Sequence, residues 1–281
     1  MPAAWRSPAG LEIASPANPR IKHLVALRRR RVREQAGVTL VEGYEELRLA
    51  LSAGVRPQAL YYCPGLAAPG TLELAGRVAD AGGEVAAVSR QVFGKIAYRE
   101  APDGWLAVVP AVPTSLAGLP DGGLPLVLIC EGVEKPGNLG AILRTADAAG
   151  VTAVIAADPV ADWGNPNVVR ASKGTVFSVP VAAAPSGDVL RWLAGRALTL
   201  VVTSPAAVTP VTDVDLTGPV ALAVGSEKAG LPAQWLDRAD HQVRIPMFGR
   251  ADSLNVATSA ALITYEAVRQ RMAAGLMRPP R

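Results

Sequence analysis

The chain has 281 residues, half of them hydrophobic but only 5% aromatic, and a formal net charge of +4. That length and apolar content suit about two domains with buried cores. Two cysteines, Cys63 and Cys130, argue against a disulfide framework or a zinc site, and two histidines, His23 and His241, against a histidine-centred metal site or a Ser-His-Asp triad. No apolar run reaches the ~20 residues of a membrane span and no signal-peptide h-region is evident, so a cytoplasmic protein is expected.

Residues 1–10 read as a loose tail and 15–19 as turn chemistry. Residues 20–34 read as one helix with Ile21, Leu24, Val25 and Leu27 on its apolar stripe. A basic block runs beside that stripe: Arg20 and Lys22, then Arg28, Arg29, Arg30 and Arg31, with Arg33 beyond. Such a block favours polyanions, RNA above all, although a solvated helix face gives the same pattern. Strands are expected at 38–41, 59–63, 85–88 and 105–109, and helices at 45–52, 71–81 and 90–96. This alternation predicts a small α/β domain over 1–110. Residues 111–123, rich in Pro and Gly, read as a linker.

Residues 124–281 predict a second α/β domain. The apolar runs 126–130, 151–156 and 220–224 read as strands covered on both faces. Further strands are expected at 176–181, 198–202 and 242–245, and helices at 138–149, 168–173, 187–194 and 256–272. Gly150 fits a C-cap. The result is a parallel sheet clothed by helices.

Three loops follow strands in this half. The first is Glu131-Gly132-Val133-Glu134-Lys135-Pro136-Gly137-Asn138, with Arg144 one and a half helical turns later. The second is Gly225-Ser226-Glu227-Lys228-Ala229-Gly230, and the third runs from Ile245-Pro246-Met247-Phe248-Gly249 to Ser253-Leu254-Asn255-Val256. Strand carboxyl ends are where open α/β sheets bind ligands. None of the loops is a GxGxxG or Walker A sequence, which argues against dinucleotides and nucleoside triphosphates. Singly, each polar residue has a plain structural reading. Asn138 and Asn255 suit helix N-caps, Arg144 suits an exposed helix face, Glu227 suits a solvated loop, and Cys130 suits a small buried hydrophobe.

Jointly, the order and spacing resemble the SpoU (TrmH-like) RNA 2′-O-ribose methyltransferases of the SPOUT class. The resemblance rests on Asn138-Leu139-Gly140-Ala141-Ile142-Leu143-Arg144-Thr145-Ala146, on the stretch from Asn165-Pro166-Asn167 to Val179-Pro180, on Gly225-Ser226-Glu227-Lys228-Ala229-Gly230-Leu231, and on Ile245-Pro246-Met247 with Ser253-Leu254-Asn255-Val256. Asn18-Pro19-Arg20-Ile21-Lys22 and Val41-Glu42-Gly43 are similar to the family's N-terminal substrate-binding domain.

The resemblance implies a deep trefoil knot near the C-terminus, a homodimer with the last helix in its interface, and bound S-adenosylmethionine without a metal. It assigns Arg144, Asn138, Glu227, Ser253 and Asn255 to catalysis. Gly225, Ile245 and Leu254, with Thr203 beside them, go to the methyl donor, and the basic block from Arg20 to Arg31 goes to RNA. Where many members of the family have Ser, this chain has Ala257. The implied reaction is methylation of a ribose 2′-hydroxyl, with 23S ribosomal RNA the leading substrate by analogy. Transfer RNA, or a non-catalytic RNA-binding or ribosome-assembly role, are the alternatives. A guanidinium stays protonated, so Arg144 suits stabilisation of a developing alkoxide better than proton abstraction.

Overall fold

The computed structural model describes residues 11–278, so the tail expected at 1–10 lies outside the described residues. Two compact units divide the chain. One comprises the chain up to Val112 together with Trp163–Ser178; the other comprises Pro113–Asp162 and the chain from Val179 onward.

The first unit runs β1 (Glu12–Ile13), α1 (Pro19–Ala26), α2 (Arg30–Ala36), β2 (Val38–Glu42), α3 (Tyr44–Ser52), β3 (Ala59–Tyr62), α4 (Glu73–Asp80), β4 (Glu84–Val88), α5 (Arg90–Ile96) and β5 (Trp105–Pro110). Its five strands form one mixed sheet, ordered β1-β4-β3-β5-β2, in which β5 is antiparallel to both neighbours. Ile21, Leu24, Leu27, Leu40, Phe93 and Leu106 fill its core.

The helix expected over 20–34 is two helices. Asn18 caps α1 by accepting from Arg20 N at 2.9 Å, and Pro19 takes the first turn, where its missing N–H costs nothing. The break falls at Arg29, whose backbone is extended (φ −81°, ψ 128°). Buried Arg33 satisfies the carbonyls around the break, donating to Leu27 O at 3.1 Å and Arg28 O at 3.0 Å. A stripe of apolar residues cannot disclose a break repaired by an arginine.

The second unit opens with β6 (Leu126–Glu131), α6 (Pro136–Ala148) and β7 (Ala153–Ala157). The chain then supplies α7 (Pro166–Ala171), which packs on β2 within the first unit, followed by a 3₁₀ turn at Thr175–Phe177. The expected strand over 176–181 therefore starts only at β8 (Val181–Ala184). Gly174, with φ +86°, turns the backbone against the carbonyl of Glu46 before any strand can form. There follow α8 (Ser186–Ala194), β9 (Thr199–Thr203), β10 (Thr209–Pro210), β11 (Val220–Val224), α9 (Ala233–Leu236), β12 (His241–Arg244) and α10 (Val256–Ala273).

All seven strands are parallel, in the order β10-β12-β9-β11-β6-β7-β8. The centre is Val, Leu, Ile and Ala on both faces, as an all-parallel sheet requires. Cys130 lies wholly inside it, and burial pushes its thiol up to about 12. Sequence reading omitted β1, β10 and α9, which are too short to carry a period.

Helix α10 packs on α6 and β11. Near its C-terminal end, buried Arg271 donates to the carbonyls of Leu124 (3.1 Å), Pro125 (3.0 Å), Gly218 (2.6 Å) and Leu216 (3.3 Å). Among the described residues no helix is long and apolar enough to cross a membrane.

Candidate active site

The site is built at the carboxyl ends of β6, β11 and β12. After β6, Gly132 turns the chain with φ +60° and α6 begins at Pro136. The capping position is Lys135, which makes no side-chain cap bond. Asn138 is thus inside the first helical turn and is not the N-cap. Its side chain is free to leave the helix, and Nδ2 donates to Glu227 Oε1 at 3.0 Å.

The loop after β11 is a tight hairpin. Gly230 N donates to Ser226 O at 2.9 Å and Ala229 N to Ser226 Oγ at 3.2 Å. Gly225 starts it, and any Cβ there would overlap the backbone of Gly230 and Leu231. Steric closeness, not a positive φ, demands glycine at this position.

Glu227 stands at the tip of this hairpin and gathers all three loops. It accepts from Lys135 Nζ at 2.7 Å, from Asn138, and from Asn255 Nδ2 at 2.6 Å. Asn255 Nδ2 also reaches Asn138 Oδ1 at 3.3 Å. The hydrogen bond from Lys135, then that from Asn138, holds the Glu227 carboxyl below its ordinary range, and the same contact raises the Lys135 ammonium. Asn255 meanwhile caps α10, its Oδ1 accepting from Ala257 N at 2.9 Å. One side chain thereby starts a helix and closes a three-loop node.

Beside the node lie two cavities, of about 490 and 220 Å³. They share Thr203, Asp252, Ser253, Leu254 and Ser259 in their linings; Gly225 and Glu227 line the larger, Ile245 the smaller. Thr203, Gly225, Ile245 and Leu254 are thus brought together around one hollow, with Ser253 at its edge. The Thr203 hydroxyl donates to Ala223 O at 3.1 Å, tying β9 to β11. Ser259 was not anticipated. It stands four residues after Asn255, a spacing that puts both on one helix face. Arg144 is exposed on α6, and its side chain has no hydrogen-bond or ion-pair partner among the described residues.

At the inner end of the first loop, Glu131 is buried and accepts a short hydrogen bond from the Ser186 hydroxyl. Burial raises its carboxyl above the usual range against the effect of that bond.

The basic block is less uniform than its sequence. Arg28 donates to the carbonyls of Lys95 (2.9 Å) and Ala97 (2.7 Å), and its guanidinium lies 5.2 Å from the centre of the Tyr98 ring. Arg20 pairs with Glu84 and Arg30 with Glu34, each at 2.7 Å. Lys22, Arg29 and Arg31 are exposed, and their side chains carry no hydrogen bond or ion pair to another described residue.

A parallel sheet with a ligand-sized hollow at its strand ends, beside an amide–carboxylate node, is the arrangement of an α/β protein with a small-molecule site; Arg144 is not among the residues lining either cavity. Residues 125–265 match the SpoU rRNA Methylase family and residues 18–107 the MRM3-like substrate binding domain. The chain belongs to the SpoU rRNA methylase family. It is 36% identical to the 23S rRNA (uridine(2479)-2′-O)-methyltransferase of Streptomyces viridochromogenes, over 95% of each chain. A crystal structure of an RNA 2′-O ribose methyltransferase superposes with a TM-score of 0.82 and 42% identity, covering 93% of this chain and all of that one. The SpoU methyltransferase AviRb from S. viridochromogenes, in complex with the cofactor AdoMet, superposes at 0.83 with 34% identity, over 91% of this chain and 99% of the other.

Proposed function

We propose that this protein transfers a methyl group from S-adenosylmethionine to a ribose 2′-hydroxyl of 23S ribosomal RNA. The observation that carries the reading is the Glu227 node, because it joins three loops of distant sequence origin around the hollow that Thr203, Gly225, Ile245 and Leu254 line. The 23S assignment is supported by the S. viridochromogenes relative, which matches this chain over both units.

The residues present fit the donor. The larger cavity lies within the range for small-molecule sites, and its walls are backbone at Gly225 and Gly230 with apolar Leu231 and Leu254. Asp252, in the lining of both cavities, supplies the one acidic side chain a sulfonium or ammonium would favour beyond Glu227, itself already engaged. Bound there, S-adenosylmethionine supplies an electrophilic methyl group.

The chain's own residues supply the rest. Asn138, Glu227 and Asn255 fix the loops, so the walls are ordered before substrate arrives and the entropy of positioning is met in folding. Ser253 offers a hydroxyl at the cavity edge. The Arg144 guanidinium stabilises negative charge developing on the 2′-oxygen. The proton passes to an acceptor on the RNA, for which the adjacent phosphate is placed by chemistry. Lys22, Arg29 and Arg31 bind RNA backbone.

The reading extends to architecture. The first unit is the RNA-binding unit and the second the methyltransferase, and the chain first passes from one to the other at Val112–Pro113. Strand β12 lies between β9 and β10, which are consecutive in the chain, so the connection between those two strands has to cross it. That order supports the knot. Leu262, Tyr265, Met272 and Leu276 leave an apolar line exposed along α10 and past its end, which supports a homodimer through this helix. The protein works in the cytoplasm, where its substrate is.

The test is methyl transfer from labelled S-adenosylmethionine to a 23S rRNA transcript, with the product mapped by alkaline-resistance sequencing. A single resistant ribose is expected, absent with Arg144→Ala while donor affinity is unchanged. Arg144 is exposed and unpaired, so its loss leaves stability within about 0.5 kcal/mol. Wild-type methylation by Arg144→Ala would remove the arginine from the mechanism; no methylation of 23S rRNA by the wild type would remove the substrate assignment.

A further inference from the structure

Phe248 is 99% exposed, in a chain with three phenylalanines. Phe93 is fully buried and Phe177 half-buried. Phe248 lies between β12 and α10, in the loop that walls the donor cavity. Its neighbour Met247 lines the smaller hollow beside Ile245, while Phe248 itself is in neither lining, so the ring is carried in solvent on the loop that walls the site. Arg244 stands four residues before it, at the end of β12 and in the lining of the smaller hollow, and Arg250 two residues after; both are exposed, and neither side chain has a hydrogen bond or ion pair to a described residue. Asp252 is the only carboxylate in the loop. An exposed aromatic ring in a segment bounded by arginines whose side chains are unpaired has the composition of a base-stacking platform, with cations near for phosphates. No folding role accounts for it, because a ring with nearly all its surface in water stabilises nothing.

We propose that Phe248 stacks on an unpaired nucleobase of the RNA substrate, at or next to the target nucleotide, and that Arg244 and Arg250 take the phosphates on either side. This rests on the RNA-methyltransferase reading above. The stacking orients the ribose whose 2′-hydroxyl must face the cavity, so Phe248 is a positioning residue. A π-face accepts any base, so the contact adds affinity and orientation without choosing the nucleotide.

The experiment measures affinity for a 23S rRNA transcript by filter binding, methylation kinetics, and mass by light scattering, for wild type, Phe248→Ala, Phe248→Leu and Phe248→Trp. Phe248→Ala and Phe248→Leu should weaken RNA binding about tenfold and raise the KM for RNA alike, with donor affinity unmoved, while Phe248→Trp keeps wild-type affinity. Equal RNA affinity in all four proteins would overturn the stacking. So would Phe248→Leu matching wild type, because a generic apolar contact would then suffice. A fall in mass to monomer with unchanged RNA affinity would place Phe248 against a second copy instead. Binding is read without turnover, so a wild type that binds the transcript but does not methylate it defeats the proposed reaction and leaves the stacking to be judged on affinity.

Discussion

Asn255 carries two duties that substitution can separate. As an N-cap its oxygen accepts from Ala257 N at 2.9 Å; as a node residue its nitrogen donates to Glu227 at 2.6 Å. Alanine removes both. Loss of a cap costs about 1 kcal/mol, which for a unit of this size lowers Tm by roughly 2–4 °C. Aspartate keeps the cap, since Asp is as good as Asn there and gains from the positive end of the helix. It also replaces the donor with a second carboxylate facing Glu227. Stability should therefore fall in the order wild type, Asn255→Asp, Asn255→Ala. Donor affinity and kcat/KM should fall in the order wild type, Asn255→Ala, Asn255→Asp, with the aspartate variant down about tenfold or more. Thermal denaturation and calorimetric titration of S-adenosylmethionine read the two series side by side. If activity simply followed Tm through all three proteins, the node would have no role beyond capping.

Other consequences are as direct. Gly225→Ala forces a methyl into the backbone of Gly230 and Leu231, a clash of the kind that costs about 1–3 kcal/mol; calorimetry should show donor affinity falling well beyond any change in Tm. Glu131 has a folded-state carboxyl raised by burial, so its stabilising share is complete below the ordinary value of 4.5 and is lost as pH rises through the raised one. Glu131→Gln keeps an acceptor for Ser186, and denaturant titrations should show a flatter decline of stability with pH above 4.5; an unchanged slope would refute the shift. Replacing Lys22, Arg29 and Arg31 by Gln should raise the KM for RNA and reduce its salt dependence at constant Tm. Arg28→Gln or Arg33→Gln should instead lower Tm, because their guanidiniums serve backbone carbonyls.

Buried strands and strand-end loops were legible in the sequence because both leave composition behind. An all-parallel sheet writes continuous apolar runs such as Val220–Val224, and a ligand loop writes small and polar residues after them. What stayed hidden depends on partners far away in the chain. Nothing local in Arg28-Arg29-Arg30-Arg31 says that one guanidinium will turn inward to Lys95 and Ala97 while another meets solvent. Nothing around Asn138, which lies two residues inside a helix starting at Pro136, says that its side chain will donate to Glu227. Proline signals a first turn, so that boundary could have been drawn correctly. Ser259, in the linings of both cavities, is within reach of helical spacing from Asn255.

The Glu227 node also governs timing. Its acceptor arrives with the hairpin after β11, its first donors some ninety residues earlier at Lys135 and Asn138, and its last with Asn255. Helix α10, which Asn255 begins, is held by packing on α6 and β11 and by Arg271, which reaches back to the carbonyls of Leu124 and Pro125. During synthesis, a growing chain can thus complete its first unit and most of its parallel sheet while still lacking a donor site. Competence waits on the last of the three loops. A cut anywhere between the hairpin and α10 would return the protein to that unfinished state.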